Sequence, residues 1–307
     1  MRQFALRQQS LDDNRRLRRA LQSQLKLARS LERLLRRCKT ETELFPTLAE
    51  PKYRVSATPS ESDDHDAFEE LTRVVDLMRH ERDAVFSDPL YLQDTGAVRD
   101  IQVCANPEGG TVVNVIDARN LPFEVRPTAD AVWGYFATTG SSDGGSRKIL
   151  EWTETTLKKH FCFLVSVQRY EADFRGRLIA RRDMLSDGRI AIEWAAMIDP
   201  EIKSTSSPQE TSGLVVQQKG WTLLKPVPSA TGCPLTRIQS KHVAIPFVIE
   251  DAPNRRQKTG TLTNFVLQSV YTHLQTSRRV IENVLIDASL KRSGTAEMEK
   301  APVLQDL

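Results

Sequence analysis

Between Phe161 and Ala244 the chain carries five segments of strand length, and a single long amphipathic stretch follows them. The most telling is GRIAIEWAAMID (188–199). Its residues alternate: Ile190, Ile192, Trp194, Ala196 and Ile198 share one face, and Ala191, Glu193, Ala195, Met197 and Asp199 share the other. Strands are predicted over Phe161–Tyr170, Arg177–Leu185, Arg189–Asp199, Leu214–Leu224 and Leu235–Ala244. Asp187-Gly188 predicts a two-residue hairpin turn between the second and third. The closing stretch, Leu262–Leu290, reads as one helix with Leu262, Val266, Val270, Leu274, Ile281, Val284, Leu285 and Ala288 on its buried side. A sheet with an apolar face must cover it, and one long stripe can do so.

The segment before these strands supplies the remaining parts. Asp66 and Glu69 stand in capping-box spacing ahead of a helix whose stripe is Phe68, Leu71, Val75, Met78 and Val85. A hairpin follows, Asp100–Ala105 and Thr111–Asp117, turning at Pro107-Glu108-Gly109-Gly110. Leu121–Val125 is short and extended, and a second helix starts at Thr128 with Val132, Trp133 and Phe136 as its apolar contacts. Thr139–Ser146 (TGSSDGGS) reads as a flexible loop.

Charge is unevenly spread. Residues 1–39 hold twelve Arg and Lys against three acids, a surplus of nine, so the remainder carries −6 within a total of +3. This segment is a basic, leucine-rich helix: positions 17, 21, 24, 28, 31, 35 and 38 follow heptad spacing and are Leu, Leu, Gln, Ala, Leu, Leu and Cys. They extend over about 33 Å at about 1.5 Å per residue. Residues 40–65, rich in Pro, Ser and acid, read as a linker, and the tail over 291–307 as disordered.

The stretches QRYEADFRGRLIARRDMLSDGRIAIEWAAMIDP (168–200) and GWTLLKPV (220–227), with the long final helix, resemble START-like lipid-binding domains. More narrowly they resemble the START-like proteins abundant in oomycetes, including those labelled mating-specific. VRPTADAVWGYFA (125–137) is similar to the way a START strand runs into its helix, and such relatives often begin with a leucine-rich basic helix. The resemblance implies an α+β helix-grip fold over 66–290, a curved antiparallel sheet gripping the C-terminal helix. It also implies a cavity between the two that binds or senses a hydrophobic small molecule, a lipid above all. Ile190, Ile192, Trp194 and Ile198 would line the floor, and Phe265, Val266, Val270 and Leu274 the roof. Burying a sixteen-carbon acyl chain there would gain about 12 kcal/mol gross, at about 0.8 kcal/mol per methylene. The competing reading is a core packed solid with side chains. Glu193 departs from the aliphatic residue such strands favour, and Ala195 stands where an Arg commonly follows the Trp. Glu193 lies opposite Trp194, so it is expected in solvent or paired with an Arg such as Arg181 or Arg182, with contact to a polar headgroup as the lesser reading.

Catalysis is not expected. The five histidines are scattered, and there is no HExxH, GxSxG or GxxxxGK. His160 and Cys162 share a strand face and read as packing rather than a dyad. Cys38, Cys104, Cys162 and Cys233 lie far apart without CxxC, against a zinc site or disulfide framework and in keeping with a reducing compartment. No cofactor or metal is expected. No secretory leader or membrane span is legible, so an intracellular place, cytoplasmic or nuclear, is expected. Three readings of the basic helix stand side by side: a zipper giving homodimers or heterodimers through residues 17–38, a surface for nucleic acid or anionic membrane without sequence specificity, or a helix solvated or docked on its own domain. A dimerising scaffold, protein-binding or transcription-associated, with a filled domain is therefore the alternative function.

Overall fold

Eight strands form one fully antiparallel sheet in the order β1-β2-β8-β7-β6-β5-β4-β3. The computed structural model describes residues 61–92, 96–106, 111–138, 146–167, 170–204, 214–229, 232–248 and 255–298, all within one unit, Lys52–Leu307. The leucine-rich helix, most of the expected linker, the Pro107–Gly110 turn, residues 139–145 and the last nine residues lie outside them. The strands are β1 (Val98–Ala105), β2 (Thr111–Leu121), β3 (Ser146–Trp152), β4 (Thr156–Val167), β5 (Tyr170–Met184), β6 (Ile190–Ser204), β7 (Leu214–Pro226) and β8 (Thr236–Val248). The helices are α1 (Glu61–Phe86), α2 (Val125–Thr138) and α3 (Arg255–Met298), with a short 3₁₀ turn at Pro89–Tyr91. An antiparallel sheet closed by a long C-terminal helix is the helix-grip α+β fold expected.

Several boundaries differ from expectation. α1 begins at Glu61, so Asp66 is inside the helix rather than its cap, and α3 runs on to Met298 through the start of the expected tail. α2 starts three residues before Thr128. β3 was not expected at all: SRKILEW has no alternating apolar face, and as an edge strand it is exposed along nearly its whole length. The β5–β6 connection is 185–189, and its Leu185–Arg189 closing pair leaves a loop of three residues, not two. Gly188 N–H donates to the Leu185 carbonyl, Leu185 N–H donates to the Arg189 carbonyl, and Gly188 has φ +81°. That is a tight turn completed by a left-handed glycine, the three-residue hairpin loop.

β6 explains why both helical layers exist. Every residue from Ile190 to Ile198 is buried, those of the outward face as well as the inward one. A strand buried on both sides needs a cover on both sides. α3 and α2 cover the inner face, while α1 lies on the outer face over β5 and β6. The predicted α1 stripe of Phe68, Leu71, Val75, Met78 and Val85 is buried there. Trp221 of β7 donates its indole N–H to the Met78 carbonyl at 3.0 Å, pinning the helix. Further along, the buried Tyr91 donates its hydroxyl to the Ser240 carbonyl at 2.7 Å.

The outer face is also where the charges pair. Arg82 on α1 meets Glu193 at 2.5 Å and Asp183 at 3.0 Å. Lys219 approaches Glu81 at 3.6 Å, and Arg177 holds Asp64 at 2.5 Å. Glu193 is thus paired with an arginine, as one expectation had it, but with Arg82 rather than Arg181 or Arg182. It is sealed from water, while Arg181 approaches Asp76 at 3.8 Å and Arg182 bonds Asp130 at 2.6 Å. His160 and Cys162 do share this face: His160 stacks on Phe68 with ring centroids 5.4 Å apart, and Cys162 contacts Ser146.

Candidate functional site

α3 crosses the inner face in two anchored parts. Leu262, Phe265, Val266 and Val270 pack with Val113, Val115, Phe174, Ile198 and Val216 in one apolar cluster. Ile281 and Leu285 pack with α2, Leu157, Leu178, Ile190, Ile192 and Leu224 in another. Burying each such side chain stabilises the fold by about 1.5–3 kcal/mol. Of the remaining residues expected on the buried side, Leu274 is half-buried and Val284 is 48% exposed. Val284 falls off the stripe because only one side of the helix meets the sheet there.

Between the anchors, where Ser269, Val270 and His273 face the sheet, a partly enclosed cavity of about 70 Å³ remains. Its walls are largely aromatic: Phe136 from α2, Phe161 and Phe163 from β4, and Trp194 from β6. Leu178, Ala196, Ile198 and Val270 complete the apolar lining. Two glycines let the rings lie flat on the sheet. A Cβ on Gly220, paired with Trp194 across the β6–β7 ladder, would collide with the indole, and one on Gly176, paired with Phe161, would collide with that ring.

Trp194, Ile198 and Val270 of the eight residues expected at the site stand on the cavity wall. Ile190 and Ile192 lie in the cluster beneath the later part of α3, while Phe265, Val266 and the half-buried Leu274 lie in the cluster beneath its start. The inner face of β6 is therefore both things the sequence left open, packed core at one end and cavity floor in the middle.

Residues the sequence reading did not single out also line the cavity and are polar: Lys159, Gln218, Ser269, His242 and His273. Lys159 is 1% exposed and donates to the Phe136 carbonyl at 2.6 Å, near the C-terminal end of α2, where backbone carbonyls lack helical partners. Burial, then the Arg147 charge, pushes its ammonium down to about 7. His273 meets the Tyr135 hydroxyl at 3.2 Å through Nδ1, and burial with the Lys159 charge pushes it down to about 4. Burial, then His273, pushes His242 down to about 3, so both imidazoles are neutral at physiological pH. His242 lies against Trp194, ring centroids 4.9 Å apart, and its Nε2 is closed off from solvent with no hydrogen-bond partner. A sealed, unsatisfied polar atom costs about 1–3 kcal/mol. These positions had a readable signal: Lys159 is in phase with Leu157 and Phe161, and His242 with Ile238 and Ala244, polar residues at inward-facing register.

A wider depression of about 350 Å³ on the other side of the β4–β5 region includes Arg147, Arg175, Arg177, Asp64 and Asp199. It is open, and Arg177 and Arg175 are already held by Asp64 and Asp173 at 2.5 and 2.7 Å. Among the described residues no cluster of three or more His, Cys, Asp or Glu could hold a metal ion. Cys162 and Cys233 are free thiols. No described helix is long and apolar enough to cross a membrane.

No protein-family model and no curated protein matches the chain. Among solved structures it is similar to the lipid transfer and protein localization domain of human StarD13, at 10% identity and TM-score 0.32, covering 67% of this chain and 96% of that one. It is also similar to human StAR-related lipid transfer protein 5, at 11% identity and TM-score 0.35, covering 69% and 97%. A third is the Zhui aromatase/cyclase from Streptomyces, at 13% identity and TM-score 0.33, covering 59% and 96%.

Proposed function

We propose that the domain binds a compact hydrophobic molecule, aromatic or alicyclic and bearing one neutral hydrogen-bonding group, between the sheet and α3. The observation that carries this reading is a ring-lined cavity with His242 on its wall, an imidazole whose buried Nε2 has no hydrogen-bond partner. A ligand hydroxyl or carbonyl there would offset a cost the free protein bears, while the rings of Phe136, Phe161 and Trp194 would take up its apolar body.

Size separates this from the acyl-chain ligand expected. Ligand pockets commonly span about 300–1,000 Å³, and a 70 Å³ cavity, about half the roughly 150 Å³ that takes one benzene ring, admits a ring only as its lining side chains give way and does not admit a sixteen-carbon chain. Accepting a whole lipid requires α3 to lift off the sheet. The neutral imidazoles favour an uncharged ligand group over a phosphate. Binding and sensing without catalysis, a START-like family tie and the narrower oomycete likeness all belong to this reading, supported by residues 168–200 and 220–227. The alternative scaffold reading depends on residues 17–38, which lie outside the described residues; so do the nucleic-acid, membrane-surface and dimer contacts expected of them.

Native mass spectrometry of full-length protein purified from a eukaryotic host tests the proposal. A retained small molecule, one per chain, is expected. Repeated absence of any adduct, with no uptake of cinnamyl alcohol added afterwards, would overturn it.

A further inference from the structure

β3 stands at one edge of the sheet, with β4 as its single neighbour among the described strands. Nearly every residue along it is exposed, and Ile149, Leu150 and Trp152 are 37%, 46% and 56% open to water. Such an edge offers unpaired backbone N–H and carbonyl groups to another strand. Charges and bulges ordinarily spoil an edge for pairing, and β3 has both. Here the two are arranged so that the strand fits a copy of itself.

The bulge makes the fit. The ladder skips Leu150: Ile149 pairs with Lys159, and Glu151 with Lys158. In a regular strand, residues three apart point to opposite faces and turn their backbone groups to opposite edges. The skipped residue cancels that. Lys148 and Glu151 pair with His160 and Lys158, two apart on β4, so they share a face. Glu151 approaches Lys158 at 3.4 Å, in keeping with this. Arg147 and Trp152 pair with Phe161 and Leu157, four apart, so they share the other face.

We propose that a second copy of this chain docks antiparallel along β3, with a two-fold axis between Ile149 and Leu150. In that register Lys148 lies opposite Glu151 of the second copy, and Arg147 opposite its Trp152, each pair made twice. Both pairs are on matched faces, and the exposed Ile149 and Leu150 meet at the centre. An axis through Ile149 would instead set Arg147 against Glu151 on opposite faces. Opposite charges directly across an antiparallel pair stabilise it, and like charges destabilise it. The strand has seven residues, so the interface is smaller than a standard one and the association is weak, in about the micromolar range.

Sedimentation velocity of the full-length protein over about 1–100 μM tests this, with Lys148→Glu and Glu151→Lys studied singly and mixed. Neither side chain is buried, and circular dichroism checks that both variants fold. The wild type is expected to show a concentration-dependent association step. Each substitution sets like charges against each other at both contacts and should weaken that step roughly tenfold. Mixing the two variants in equal amounts should restore it, because the doubly acidic edge of one then meets the doubly basic edge of the other. A zipper through residues 17–38 would be indifferent to both substitutions. Three results would overturn the inference: no association step, a step that ignores both substitutions, or a mixture that behaves as its separate components do.

Discussion

Arg82 on α1 and Glu193 on β6 meet at 2.5 Å on the outer face of the sheet, with Glu193 closed off from water. Burial pushes the Glu193 carboxyl above its usual range, and the Arg82 guanidinium pulls against it. The pair therefore holds the helix to the sheet because each partner would be costly alone. Arg82→Met is expected to destabilise the domain by about 3–5 kcal/mol, since it strands a buried carboxylate. Adding Glu193→Leu should recover most of that loss. Urea denaturation of the single and double variants checks this; equal stability of the two would show that the charge was never stranded.

Asp199, at the far end of the β6 outer face, supplies a pH signature. Burial pushes its carboxyl up to about 6, against a smaller pull from Arg177 at 3.6 Å, and Oδ1 has no hydrogen-bond partner. The folded state thus holds this proton more tightly than the unfolded chain. Its contribution favours folding most below about pH 4 and is lost as pH rises through 6. Asp199→Asn is expected to stabilise the protein by about 1–2 kcal/mol at pH 8 and to leave it unchanged at pH 4. A gain of equal size at both values would contradict burial as the cause.

His242 should show a trade between stability and recognition. Replacing it by Phe removes the orphaned Nε2 while keeping a ring against Trp194. His242→Phe is expected to raise unfolding free energy by about 1–2 kcal/mol. It should also erase the preference of the cavity for cinnamyl alcohol over propenylbenzene, its hydrocarbon counterpart. Paired calorimetric titrations and melts measure both effects; a retained preference would mean that another group reads the hydroxyl.

Much of the architecture was legible because periodicity reports burial. The alternation of β6 and the stripes of α1 and α3 each named a face that the structure covers. What periodicity could not convey is whether a covered face meets atoms or space: Ile192 and Trp194 are two residues apart in one register, yet the first is in packed core and the second on the cavity. Nor could it identify Arg82 as the partner of Glu193 across 111 positions. The polar start of β5, YEADFRGR, hid a strand, because charges that mark a loop in isolation, such as Arg177, are here buried against partners on α1.

The glycine beneath Trp194 offers the most direct test of the central claim, that the space between sheet and α3 is a binding site. Gly220→Ala adds a methyl where the indole lies, driving Trp194 into the cavity at an overpacking cost of about 1–3 kcal/mol. Titration of cinnamyl alcohol into wild-type and Gly220→Ala protein, both folded by circular dichroism, is the measurement. One bound molecule per wild-type chain and an affinity weakened roughly tenfold or more in the variant, about 1.4 kcal/mol, is the result the account predicts; identical affinity in the two would contradict it.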